Sequence, residues 1–362
     1  TFSKAIGTFG TINYLGSPVQ YYTLSSQLYM NINSRDTQTG FAMAILMIII
    51  ASIAVFVNQK LIGSRKSYAT IGGKGGRSTL IGLGKVGRPV ITAALFVFFA
   101  VGIIMPIVIL VMESFMLKEG IYSLDNFTLH YWIGESNPQI MEGLPGIFKN
   151  DEFINSLFNS LRLTLVNGVF GTIFGQLLGY ITAKGRGRLH GKLVEQLVFI
   201  PYLIPSVAFG GIYLSIFSQP QQIFGVTLVP ALYGTFALLT LVSVVKHLPF
   251  AARAGTSNML QISGELEEAA TIEGAGFFPL SKGGFISVFM LIFVSIMKEL
   301  DLIILIMTPT TSTLPYLAFR YQNGNSPQAS DCVAIVMFSI VFLVYAIANL
   351  SGKADLAKSM AG

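Results

Sequence analysis

Long apolar runs, separated by short polar segments, dominate the chain. A helix needs about 20 apolar residues to cross a hydrocarbon core of about 30 Å, because each residue advances about 1.5 Å. Seven runs approach or exceed this length. They lie at 41–57, 90–112, 157–183, 193–217, 227–245, 285–307 and 332–350. The pattern predicts an all-α polytopic membrane protein with about seven transmembrane helices.

The composition excludes other classes of protein. Of the 362 residues, 52% are hydrophobic and only 11% are charged, whereas a soluble domain averages about 25% charged residues. The chain has too little charge to cover a soluble domain of this size, and its apolar content excludes disorder. The single cysteine, Cys332, excludes a disulfide scaffold.

The segments between the runs alternate in charge. Segments 58–89 and 184–192 carry Lys and Arg but no acidic residue, whereas most of the charged residues in segment 113–153 are acidic. Lys and Arg concentrate in cytoplasmic loops, so these basic segments and the C-terminus are predicted to be cytoplasmic and 113–153 external. This placement accounts for the net charge of +6 without a nucleic-acid partner.

The chain resembles itself at a displacement of 290 residues. Eight of the 28 positions in 23–50 are identical in 313–340, and some of them are polar and lie outside the apolar runs. The matched positions are Thr23, Leu24, Asn33, Gln38, Ala44, Ile45, Met47 and Ile50 with Thr313, Leu314, Asn323, Gln328, Ala334, Ile335, Met337 and Ile340. Transporters are often built from such duplicated units.

The repeat predicts a division of the chain. Residues 1–59 would be the C-terminal end of a first unit, 60–89 a basic cytoplasmic linker, 90–352 a second unit of six spans, and 353–362 a cytoplasmic tail. The linker contains "GGKGGR" but lacks the G-x-x-x-x-G-K-[ST] phosphate-binding pattern. We expect the intact polypeptide to extend upstream by roughly one unit.

The predicted cytoplasmic segment 246–284 contains the motif "EEAATIEGAG". Glu and Ala favour a helix, and Gly274 and Gly276 permit the left-handed turn that ends one. A short helix with a small alanine face, flanked by Glu267 and Glu268, suits docking onto another protein. The alternative is an ordinary loop helix, since these residue types are common in helices.

The motif resembles the signature of the membrane components of binding-protein-dependent ABC importers, in which E-A-A is followed after three residues by Gly. The matching residues here are Glu268, Ala269, Ala270 and Gly274. The phrases "NSLRLTL" and "FIPYLIPSVAFGGIY" resemble the family's ferric-iron branch, whose members fuse two permease units. One departure is that "FFPL" follows Gly276 at once, where the family continues further before I-x-L-P.

The resemblance implies a permease of an ATP-driven importer in the bacterial inner membrane. Its coupling residues would be Glu267, Glu268, Ala269, Ala270 and Gly274. It would work in membrane lipid with two ATPase subunits and an extracytoplasmic solute-binding protein. The chain itself would be no enzyme and hold no cofactor. Ferric iron is the first expectation for the solute, and related branches carry polyamines, phosphonates, sugar phosphates and thiamine.

Two interrupted runs supply candidates for the translocation pathway. The run at 285–307 is broken by Lys298, Glu299 and Asp301, and ionisable groups at membrane depth usually face a bundle interior or a wet cavity. Lys298 and Asp301 are spaced to pair on a helix, so the alternatives are a structural ion pair or a break near the external end of a shorter span. Pro201 and Pro205 predict a kink that either shapes the pathway or only packs.

Two other functions remain open from the residues. A secondary transporter could use Lys298, Glu299 and Asp301 as an ion relay, and a membrane scaffold would transport nothing. His130, His190 and His247 are scattered without metal-ligand spacing, and no catalytic motif is found.

Overall fold

The structure is a computed structural model that describes residues 5–62, 82–140, 143–262, 267–268, 270, 272–274 and 277–350. Its helices are α1 (Gly10–Gly16), α2 (Leu24–Asn33), α3 (Thr37–Ile62), α4 (Gly84–Phe99), α5 (Met105–Glu113), α6 (His130–Ile133), α7 (Asp151–Lys184), α8 (Leu189–Leu203), α9 (Ser206–Phe217), α10 (Phe236–Gln261), α11 (Phe277–Met297), α12 (Leu314–Asn323) and α13 (Pro327–Leu350). A π-helical turn, Ala100–Ile104, joins α4 to α5. The described chain also contains two short strands, β1 (Gln221–Ile223) and β2 (Val226–Val229), and four short 3-10 helices, at Ser17–Val19, Leu124–Asn126, Ile147–Lys149 and Pro309–Thr311.

The apolar runs account for the long helices. Five helical stretches in the described chain are long and apolar enough to cross a membrane, and α8 with α9 would make a sixth span bent by 96°. A shorter apolar helix, Ser281–Met297, corresponds to the remaining run. The predicted all-α polytopic architecture is therefore confirmed.

The helices α7 and α10 form the centre of the bundle. Their backbones approach closely because small residues face each other at the crossing. A Cβ added at Gly175 would lie 2.5 Å from Ala251 Cβ, and one added at Gly179 would lie 2.4 Å from the carbonyl carbon of Gly255. Small residues allow this approach in membranes, where apolar surface alone does not drive helices together.

The predicted span at 227–245 is wrong at its start. Residues 221–229 form an antiparallel hairpin whose turn residues, Phe224 and Gly225, have φ of 53° and 78°. Positive φ at both central residues matches the twist of a two-residue hairpin turn. The helix begins only at Phe236 and continues to Gln261, so residues 246–261, expected in a cytoplasmic loop, are helical.

The predicted span at 285–307 also differs. Helix α11 ends at Met297, and the apolar residues that follow form turns instead of helix. Leu302, Ile303 and Ile306 are nevertheless at most 1% exposed, because the turns pack into the core with α10. Periodicity detected the buried apolar character of this segment but not its backbone conformation.

The two copies of the sequence repeat have the same backbone pattern. Helix α2 spans 24–33 and α12 spans 314–323, while α3 begins at 37 and α13 at 327. Each displacement is 290 residues. The connecting turns also correspond, since Arg35 has φ 65° and Asn325 has φ 58°.

The first copy packs against the region expected to be the second unit. Phe9, Leu28 and Met47 are fully buried in one cluster with Val207 and Ile304. Most of the predicted linker, at 63–81, and the predicted tail at 353–362 lie outside the described residues.

Candidate functional site

A sharp break between α8 and α9 is held by a buried lysine of α10. Pro205 has no N–H, so the carbonyl of Pro201 cannot receive the usual helical hydrogen bond. Lys246 Nζ donates to Pro201 O over 2.9 Å and also to Ile204 O. The ammonium group therefore satisfies carbonyls at the end of α8, where the helix dipole favours a cation.

Lys246 belongs to the interior of the bundle. Its residue exposure is 8%, and Nζ lies 5.2 Å from the centroid of the Phe209 ring. A buried ammonium requires hydrogen-bond acceptors or an opposite charge, because desolvation is costly. The two carbonyls and the aromatic face supply part of this compensation.

The neighbouring His247 connects α10 to the segment after α11. Its Nδ1 lies 2.9 Å from Ser243 O, and its Nε2 lies 3.4 Å from Glu299 Oε2. A carbonyl only accepts, so Nδ1 carries a proton. Nε2 faces the carboxyl group of Glu299, so this contact is an ion pair when the imidazole is protonated. Glu299 Oε1 also accepts from Leu302 N over 3.0 Å.

Asp301 joins the N-terminal segment to the segment after α11. Its Oδ2 accepts from Phe9 N over 3.0 Å, and its Oδ1 accepts from Gly10 N over 2.8 Å. The expected pairing of Lys298 with Asp301 on a helix is wrong, because both residues follow the end of α11. Lys298 is exposed, and the described contacts give its side chain neither a hydrogen bond nor an ion pair.

These groups border one cavity of about 590 Å³ between the N-terminal segment, α8–α9, α10 and the end of α11. Its polar and charged lining includes Thr11, Tyr202, Ser206, Lys246, His247, Lys298, Glu299 and Asp301. The structure thus brings the sequence candidates Lys298, Glu299, Asp301 and Pro205 together. Pro201 contributes through its carbonyl.

Sequence reasoning missed Lys246 and His247. Lys246 was placed at the start of a loop, and His247 was set aside as one of three scattered histidines. One signal was present, since no charged residue lies between Glu195 and Lys246. A lysine that ends so long an uncharged stretch is a candidate for membrane depth.

The candidate coupling residues are not among the residues that line the cavity, and they have their own contacts. Glu267 forms an ion pair with Lys184 at the end of α7, whereas Glu268 is exposed. Ala270 is buried, and Gly274 has φ 68°, the left-handed conformation expected at a helix end. Ala269 lies outside the described residues.

Sequence comparison finds relatives among ABC permeases. The chain is 21% identical to the ferric transport system permease protein FbpB of Actinobacillus pleuropneumoniae over 99% of this chain and 50% of that protein. It is 22% identical to the putative ferric transport system permease protein FbpB 1 of Haemophilus influenzae, over 92% of this chain and 49% of that one. The chain thus spans about half the length of these two relatives. It is 26% identical to the molybdate/tungstate transport system permease protein WtpB of Pyrococcus abyssi, over 56% of this chain and 79% of that one.

Structural comparison gives the fold. A bacterial ABC transporter that imports alginate matches with a TM-score of 0.55 and 16% identity, over 72% of this chain and 94% of that one. The same kind of transporter in complex with an alginate pentasaccharide-bound periplasmic protein matches with a TM-score of 0.54 and 15% identity, over 72% and 92%. No family model matches the chain.

The chain has the fold of an ABC importer membrane subunit and is a multi-pass membrane protein. Its predicted resemblance to ABC importer permeases is confirmed, and ferric transport permeases are among its relatives.

Proposed function

We propose that this chain is the transmembrane permease part of an ATP-driven importer in the bacterial inner membrane. The observation that carries the proposal is the cavity described above, which five ionisable side chains border within a bundle of this fold. Ionisable groups in such a position mark a solute pathway more often than a packing feature. Pro201 and Pro205 shape the pathway by breaking the α8–α9 span.

The motif around Glu268 would couple the permease to two separate ATPase subunits. Three features support this role. Glu268 is exposed, Ile272 is 84% exposed, and the Lys184–Glu267 ion pair ties the motif to α7. Movement of a partner bound to this motif would therefore be transmitted to the central helix pair, α7 and α10. An extracytoplasmic binding protein would deliver the solute to the opposite side, and the C-terminus would be cytoplasmic.

The division of the chain remains part of the proposal. Residues 1–59 would end a first permease unit, 60–89 would link the units, and 90–352 would form the second unit. The identical displacement of the helix pairs α2–α3 and α12–α13 supports a duplication. A cavity between the two proposed units matches the usual location of transporter sites between repeats.

Ferric iron is the proposed solute. The two relatives that match over nearly the whole chain are ferric transport permeases. The other relatives include permeases for trehalose, molybdate or tungstate, and sulfate, so a different small solute is the competing assignment.

The first experiment tests the coupling. The full polypeptide would be co-expressed with the ATPase and binding protein encoded beside it, purified, and placed in proteoliposomes. We expect the ATPase to co-purify and solute uptake to require ATP. Glu268→Arg should reduce both, whereas Glu119→Arg, in the predicted external segment, should leave ATPase binding unchanged. Retained ATPase binding by Glu268→Arg would contradict the assigned docking site.

A secondary transporter is the second candidate, favoured by the contact between His247 Nε2 and Glu299 Oε2, two groups that can exchange a proton. It predicts uptake that continues without ATP and stops when an ionophore collapses the proton gradient. The importer predicts the opposite result in both conditions.

A further inference from the structure

We propose that the cavity binds the solute through a negatively charged oxygen group, with Lys298 as its principal ligand. The inference rests on the proposed transport function and specifies the chemical class of the solute. If ferric iron is the cargo, it would cross this site as an anionic complex with oxygen ligands, not as a bare cation.

The acidic side chains of the cavity are already used by the protein. Both carboxylate oxygens of Asp301 accept backbone N–H groups, from Phe9 and Gly10. One oxygen of Glu299 accepts from Leu302 N, and the other faces His247. A hard metal cation would have to displace these donors, and each backbone N–H left without an acceptor is costly when buried.

The charge balance also disfavours a bare cation. The side chains of Glu299 and Asp301 carry two negative formal charges, and those of Lys246 and Lys298 carry two positive ones. These four formal charges cancel, so the described lining has no excess negative charge to attract a bare cation. No group of three or more His, Cys, Asp or Glu side chains in the described chain is placed to hold a metal ion.

Lys298 is the group that remains available. Lys246 donates to two carbonyls and is buried, whereas Lys298 borders the cavity, is exposed, and has no hydrogen bond or ion pair in the described contacts. An ammonium group forms charge-assisted hydrogen bonds with an oxyanion, and these are stronger than hydrogen bonds between neutral groups. The hydroxyl groups of Thr11, Tyr202 and Ser206 border the same space.

The test measures binding to the purified full-length chain in nanodiscs, without ATPase or transport. Probes are molybdate, inorganic phosphate, ferric citrate and citrate alone, with trehalose and magnesium chloride as neutral and cationic controls. We expect at least one anionic probe to bind. Lys298→Met should weaken its binding about 10- to 100-fold, the loss of one charge-assisted hydrogen bond. Lys298→Arg should retain most of the affinity, and Lys85→Met, at an exposed lysine away from the cavity, should not change it.

Three outcomes would overturn the proposal. They are no binding of any anionic probe to the unmodified chain, equal affinity in Lys298→Met, and tighter binding of magnesium than of every anion. Comparison of ferric citrate with citrate distinguishes a chelate from a simple oxyanion. Because the assay is independent of ATP, loss of ATP-driven uptake contradicts the proposed function without deciding the anion site.

Discussion

Two neighbouring parts of α10 are stabilised in opposite ways. Around Ala251 and Gly255, the helix meets α7 through backbone and methyl groups with no space for a larger residue. One turn earlier, Lys246 and His247 face a cavity and are held by hydrogen bonds and charge. The close contact has one arrangement that fits, whereas polar groups can exchange partners. The first region therefore suits a rigid axis and the second a solute site.

The largest expected effect comes from breaking the close contact. Gly179→Ala would place a methyl group 2.4 Å from the carbonyl carbon of Gly255 and 2.5 Å from Thr256 N, so α7 and α10 must separate. We expect a loss of about 1–3 kcal/mol of unfolding free energy, as in other overpacked cores. Thermal unfolding in detergent would measure it.

The matched control is Gly102→Ala. A Cβ at Gly102 meets nothing within 4 Å, so the melting temperature should not fall. Equal effects of the two substitutions would show that close packing at Gly179 is not the cause.

The second effect concerns the polar region. Lys246→Met keeps the apolar stem but leaves Pro201 O and Ile204 O without their donor. The two orphaned carbonyls lose hydrogen-bond energy, and this loss is partly offset because no ammonium is then buried. The break between α8 and α9 should change its angle, which spin labels on the two helices would detect as a changed distance distribution. An unchanged distribution in Lys246→Met would mean that the prolines alone set the bend.

A third, smaller effect tests the hydrogen bonds that Phe9 and Gly10 of the N-terminal segment donate to Asp301 at the cavity. Asp301→Asn keeps the shape but replaces one acceptor by an amide N–H, which then faces the N–H of Phe9 or Gly10. We expect a loss of about 1–2 kcal/mol, measured by thermal unfolding. Asp125→Asn, at an exposed position, provides the control, and a similar loss there would contradict the assigned role of Asp301.

The smallest expected effect comes from an exposed ion pair, with which the buried charged groups of the cavity can be compared. Glu135 lies in the predicted external segment and is paired with Lys149, whose hydrogen bond and charge lower the pKa of Glu135 below its ordinary value. The pair therefore contributes stability above the ordinary pKa of a glutamate, and this contribution is lost as the pH falls through the lowered pKa. Lys149→Gln should raise the Glu135 pKa in a carbon-detected NMR titration, with little change in melting temperature. An unchanged pKa would show that the pair does not form in solution.

Much of the candidate site was present in the sequence as isolated signals. Lys298, Glu299 and Asp301 were identified because charge inside an apolar run is rare, and Pro205 because proline breaks helices. Lys246 was missed because it directly follows an apolar run, and a lysine in that position usually marks the end of a transmembrane span. The hairpin at 221–229 was missed because its apolar residues continue into those of α10 without a polar interruption.

The amino-acid sequence by itself determined that the chain lies in a lipid bilayer, that it is helical and that it contains a duplicated helix pair, since these properties depend on composition, run length and local turn chemistry. Tertiary structure alone decided where the charges meet. Lys246 reaches the carbonyl of Pro201 across 45 residues, and Asp301 reaches Phe9 across 292. Such contacts depend on how whole helices pack. The packing of α7 against α10 follows from the small residues at their crossing, and a local sequence pattern does not show which helix a small residue will contact.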